Sequence, residues 1–142
     1  MSTKTPAELA DFAAEAIRRL NHATIHFAPA AEGYRYAGDV DEMLANLLVL
    51  VDRLPQALRQ ASSWLVNEAQ AGRVRHDAHF DTKDSSYQAL LAVYELVEDF
   101  NDAVSHLTSA GAHLRWARDL SSHMAPFVDD LAVDELLEED RS

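Results

Sequence analysis

The stretch LANLLVLVDRLPQALRQASSWL, residues 44–65, decides the fold. Apolar residues recur in it at Leu44, Leu47, Val51, Leu54, Leu58, Ala61 and Leu65, in steps of three and four without a slip. A second stretch, VYELVEDFNDAVSHLTSAGAHLRWA at 93–117, repeats the pattern at Val93, Leu96, Phe100, Ala103, Leu107, Ala110, Leu114 and Ala117. Each set is a stripe down one face of a long helix, and such a stripe is buried only against another helix. The predicted fold class is therefore all-α: a helical bundle built on a long antiparallel helical hairpin with coiled-coil-like seams. A shorter N-terminal helix and an acidic C-terminal segment complete it, giving a bundle domain over 1–125 and an amphipathic segment over 126–142.

Local signals set the expected helix ends. Thr5, Pro6 and Glu8 form a start signal, a Thr-x-x-Glu capping box with proline at the first helical position. Leu9, Ala13, Ala16, Leu20, Ala23 and Phe27 then line one face until Pro29. Asp39 and Glu42 suggest a capping box for the second helix, which runs from about 40 to 71 with Gly72 as its stop. Pro55 falls in its middle and costs ~3 kcal/mol in an isolated helix. The stripe keeps its phase through Pro55, so the spacing predicts one kinked helix and not two. Ser85 and Gln88 suggest a third capping box, opening a helix over 85–123 that spans close to 60 Å at ~1.5 Å per residue.

Composition narrows the function classes. The chain has 142 residues, 48% of them hydrophobic, enough for a core without disulfides or metal. It contains no cysteine, which removes thiolate catalysis, zinc fingers and iron–sulfur clusters and fits a reducing compartment. No apolar stretch approaches a membrane span, and the N-terminus lacks the apolar region of a secretory signal. The expectation is a cytoplasmic protein with no membrane partner. The formal charge is −12, and residues 126–142 carry seven acidic side chains against Arg141 alone. That balance repels phosphate backbones, argues against direct nucleic-acid binding and favours a protein partner with a basic surface.

Several constellations bear on chemistry. Glu95, Glu98, Asp99 and Asp102 lie at i, i+3, i+4 and i+7 on one helix face, a spacing that can hold Mg²⁺ or Mn²⁺ between bundle helices. Such sites need a facing carboxylate pair, and the chain offers none well placed. Di-iron bundles need Glu-x-x-His, which does not occur. The stripe reads instead as an ion-paired face: a hairpin turning near residue 78 sets Glu98 opposite Arg59, with Asp102 near Arg53. His76, His79, Asp77 and Asp81 sit in the second connection, and His22 and His26 are an i, i+4 pair, but neither set makes a convincing ligand cluster. Trp64 and Trp116 read as core or interface anchors. No nucleophile elbow or phosphate-cradling glycine loop is present, so no catalytic residue, metal or cofactor is expected.

Two segments suggest contact with other molecules. Tyr34, Arg35 and Tyr36 are two aromatics around an arginine in a loop, a composition suited to recognition or to folding back over the bundle end. Phe127, Leu131, Leu136 and Leu137 are interleaved with acids, as in a helix that lays leucines on an apolar groove and meets basic residues at its rim.

The segments Leu20-Asn21-His22-Ala23-Thr24, Leu54-Pro55-Gln56-Ala57-Leu58 and Trp64-Leu65, within residues 13–72, resemble small uncharacterised helical proteins of high-GC actinobacteria, some found with mobile elements. The resemblance implies a cytoplasmic bacterial protein and carries no site residues over. The expected function is a non-enzymatic protein–protein interaction module, an adaptor or regulator that forms a homodimer. The alternatives are an acidic nucleic-acid mimic that inhibits a DNA- or RNA-binding protein, and a Mg²⁺-dependent helical-bundle nucleotide hydrolase.

Overall fold

In the computed structural model the described residues are 3–25, 33–77 and 84–124, and they hold three helices and no strand. These are α1 (Pro6–Ala23), α2 (Ala37–Gln70) and α3 (Ser85–Ser121). The chain divides into two compact units, Met1–Asp41 with His123–Ser142, and Glu42–Ser122.

In the first unit, α1 opens on the expected box. Thr5 N–H donates to Glu8 Oε2 at 2.7 Å, and Glu8 N–H donates to Thr5 Oγ1 at 3.3 Å. Each donor would otherwise be orphaned at the helix start. Glu15 then takes both Arg18 and Arg19 on its carboxylate, at 2.7 and 3.0 Å. No residue of α1 is buried, and Leu9 and Phe12 are 55% and 65% exposed. Lys4 places its ammonium 3.7 Å from the centre of the Phe12 ring. α2 begins at Ala37, three residues before the start that the Asp39–Glu42 signal suggests, and this changes the role of Asp39. Its Oδ2 accepts from the backbone N–H groups of Arg35 and Tyr36 at 2.7 and 3.2 Å, so it reaches back over the helix start and does not cap from in front. Those two donors hold the Asp39 carboxyl below its ordinary value, Arg35 most strongly.

The second unit is the hairpin of α2 and α3. α2 is a single helix through Pro55, as the stripe predicts, and the proline ring is buried. Burial of the ring on the inner face offsets part of the lost backbone bond. The helix ends on Gly72, at φ 70°, with Gly72 N–H donating to Ala69 O and Arg73 N–H to Glu68 O. This paired closure needs a left-handed residue, which glycine adopts without steric cost. The Arg73 guanidinium doubles back onto Glu68 with two bonds of 2.7 Å and keeps that carboxyl below its ordinary value.

The helices cross-contact at Arg115 and Asp52, and a Cβ on Gly111 would lie 3.1 Å from Asp52 Oδ1 and 3.8 Å from Val51. Position 52 thus faces 111, and Arg59 falls opposite Val104, nearly two turns from where a turn at residue 78 would set it. The cause lies in the connection. After Gly72 the chain runs on beside the first turns of α3: His76 N–H donates to Ser85 O at 3.4 Å, and Ser85 Oγ donates to His76 O at 3.3 Å. Ser85 is only 1% exposed and serves this clasp, so the N-cap is Asp84, which makes no side-chain cap bond.

The line of closest approach coincides with the apolar stripes only in part, at Val51 and Val93. Buried positions are Pro55 and Ala69 on α2 and Ser85, Ala89, Val93, Gly111 and Ser121 on α3. Small residues let the backbones approach, and the leucines turn to one side.

Candidate functional site

At about 100° per residue, Leu47, Leu54, Ala61 and Leu65 of α2 lie on the same side of the contact line as Leu96, Ala103, Ala110, Leu114 and Ala117 of α3. Together they make one apolar flank along the hairpin. Leu54 is 38% exposed, Ala61, Ala110 and Ala117 are exposed, and Leu47, Leu65, Leu96, Ala103 and Leu114 are half-buried. The opposite flank holds an open groove of about 430 Å³, with Val66, Val97, Phe100 and Val104 among its walls and Arg59, Ser63, Asn67 and Asn101 beside them.

Large apolar side chains are exposed elsewhere on the hairpin too. Tyr87, Leu91 and Tyr94 stand 61%, 40% and 46% exposed at the start of α3, and Trp64 and Trp116 are 61% and 74% exposed. The tryptophans are therefore not core residues. They sit on the outer sides of their helices, where the stripe periodicity gave no room for them.

Ala69, Ala89 and Val93, with the Pro55 ring, are the buried apolar side chains among the described residues. Loss of apolar area from water stabilises at roughly 25 cal/mol per Å², so a long hairpin with so few buried side chains leaves much of that driving force unspent.

Glu95, Glu98, Asp99 and Asp102 are all exposed on α3. Among the described residues no group of three or more His, Asp or Glu side chains is arranged to hold a metal ion, and no ion pair joins Arg59 to Glu98 or Arg53 to Asp102. The hairpin register accounts for the missing pairs, since Arg59 faces Val104. Tyr34 and Tyr36 are 43% and 66% exposed, and the backbone between them is pinned by Asp39. His76 and Asp77 approach to 3.5 Å in the second connection. Phe127, Leu131, Leu136 and Leu137, with His26, His79 and Asp81, lie outside the described residues.

Among the described residues no helix is long and apolar enough to cross a membrane. No protein-family model matches the chain, and no curated protein and no solved structure matches it significantly.

Proposed function

We propose that the chain is a non-enzymatic protein–protein interaction module, an adaptor or regulator, which self-associates as a homodimer in the cytoplasm and engages a protein with a basic surface. One observation carries the reading: the apolar flank of the α2–α3 hairpin, from Leu47 to Leu65 and from Leu96 to Ala117, has no complete cover within the hairpin. Exposed apolar surface of this extent marks an interaction site, and a twofold dimer is the commonest way to bury it. The charge of −12 supports the basic partner, because complementary fields speed encounter and suppress wrong pairings. A nucleic-acid mimic needs carboxylates spread over one broad face, whereas Glu95, Glu98, Asp99 and Asp102 of α3 form a single stripe.

Light scattering at micromolar concentration tests the self-association. The expected mass is about twice the 15.8 kDa of the chain. A monomer throughout that range overturns the dimer.

A further inference from the structure

We infer that a second copy of the chain covers the leucine flank, with α2 of each copy lying over α3 of the other in an antiparallel four-helix bundle; this rests on the self-association proposed above. The size of the flank is the first argument. From Leu96 to Ala117 it runs about 32 Å at ~1.5 Å per residue, and two helices 8–10 Å apart make it roughly 20 Å wide. That is on the order of 630 Å² per copy, at the lower end of the about 600–1,000 Å² each partner gives up in a standard stable interface.

Shape is the second argument. Two such flanks meet about a twofold axis either parallel to the helices or across them. In the parallel case symmetry leaves no sliding freedom: a residue of the partner's α2 sits at the height of the same residue in α2, which is the height of its α3 counterpart within the hairpin. With position 52 facing 111, the partner's Leu54 falls on Ala110, the partner's Leu47 on Ala117, and the partner's Ala61 on Ala103. Leucines meet alanines in two of the three layers, the large-on-small alternation by which facing helices interdigitate.

Charge is the third. Glu95 and Asp99 border the flank on the outer side of α3 and are exposed. The crossed arrangement pairs α3 with the partner's α3 and brings two carboxylate edges together, where like charges repel. In the parallel arrangement that edge meets the outer side of the partner's α2, where the partner's Trp64 lies at the height of Asp99 and the partner's Glu68, already held by Arg73, at the height of Glu95, so the repulsion is smaller.

The absence of cysteine in the chain makes a clean test possible. Chains carrying Leu54→Cys and chains carrying Ala110→Cys are unfolded, mixed, refolded together and oxidised with oxidised glutathione. Leu54 is partly exposed and Ala110 exposed, so both substitutions are tolerated, and circular dichroism checks the helices. Facing positions of neighbouring helices come within disulfide reach, a Cβ separation of about 3.5–4.5 Å, whereas like positions on the diagonal do not. The mixture should give a disulfide-linked dimer of one chain of each kind, severalfold above any product from either chain alone. Efficient linking of the Leu54→Cys chain to itself overturns the arrangement in favour of the crossed one. No linked product from a chain that scatters light as a dimer shows that another surface is buried and overturns the flank. A wild-type chain that scatters as a monomer overturns the self-association itself, and the cross-linking arms separate these failures.

Discussion

Arg115 reaches across the hairpin and donates from Nη2 to both carboxylate oxygens of Asp52, at 2.7 Å each, beside a glycine that leaves room for the contact. The two side chains are 52% and 46% exposed, so the pair is a surface one worth about 0.2–1 kcal/mol. Its value lies in register, because it is the one long-range ion pair that joins α2 to α3 among the described residues. Arg115→Asp should destabilise in urea unfolding, and the exchanged pair Asp52→Arg with Arg115→Asp should recover most of the loss. An exchange no better than the single substitution would place the two residues apart.

Gly111 invites a test of packing against propensity. Alanine is favoured over glycine inside a helix by about 1 kcal/mol. The added Cβ would meet Asp52 Oδ1 at 3.1 Å, and this atom ends a half-exposed side chain that can retreat with Arg115 following. Gly111→Ala should therefore raise the midpoint of thermal unfolding, by up to ~1 kcal/mol in stability. Gly111→Leu should lower it by about 1–3 kcal/mol, because its further carbons run into the facing helix. A loss with alanine would mean that the Asp52 carboxylate is held rigidly.

Acid should loosen α1 through Glu15. Hydrogen bonds from Arg18 first and Arg19 second lower its carboxyl from 4.5 to about 2. A value lower in the folded than in the unfolded state contributes stability above pH 4.5, and that contribution is lost as the pH falls from about 4.5 through about 2. Glu8, lowered chiefly by the Thr5 backbone N–H, acts in the same direction. Amide chemical shifts of α1 should report loss of helix across that window, with Glu15→Gln already showing part of the loss at neutral pH. Added salt should blunt the effect, since these groups stand at the surface.

These features were unequally legible in the sequence. The Thr5–Glu8 box and the Gly72 stop rest on neighbours a few residues apart, so local pattern suffices. The single helix through Pro55 followed from the unbroken phase of its leucines. The Ser85–Gln88 box was not realised because Ser85 is drawn onto His76, nine residues back across the connection. Hairpin register failed for the same reason, since loop length does not say where the chain turns. The contact line was legible in part: Val51 and Val93 of the stripes lie on it, but apolar periodicity reports what must leave water, whereas much of the close approach is made by glycine, alanine, serine and even proline.

The acidic stripe should not bind metal. Glu95, Glu98, Asp99 and Asp102 stand exposed on one helix, and a site for Mg²⁺ in a bundle needs carboxylates converging from at least two. Calorimetric titration with Mg²⁺, Mn²⁺ and Zn²⁺ should show no stoichiometric uptake. Tight binding abolished by Glu95→Gln or Asp99→Asn would move the hydrolase reading ahead of the interaction module.

Tryptophan fluorescence separates the leucine flank from the aromatic surfaces. Trp64 and Trp116 are 61% and 74% exposed and lie on the outer sides of α2 and α3, away from the flank. In a dimer closed over the leucines both rings stay in contact with water, so acrylamide should quench them as efficiently at high protein concentration as after dilution to monomer. The comparison needs no substitution, and therefore no change in folding can imitate the result. Aromatic side chains are favoured anchors of interfaces, and their burial on association would give a clear drop in quenching. That drop would transfer the dimer contact from Leu54 and Ala110 to the faces carrying Trp64, Trp116 or both.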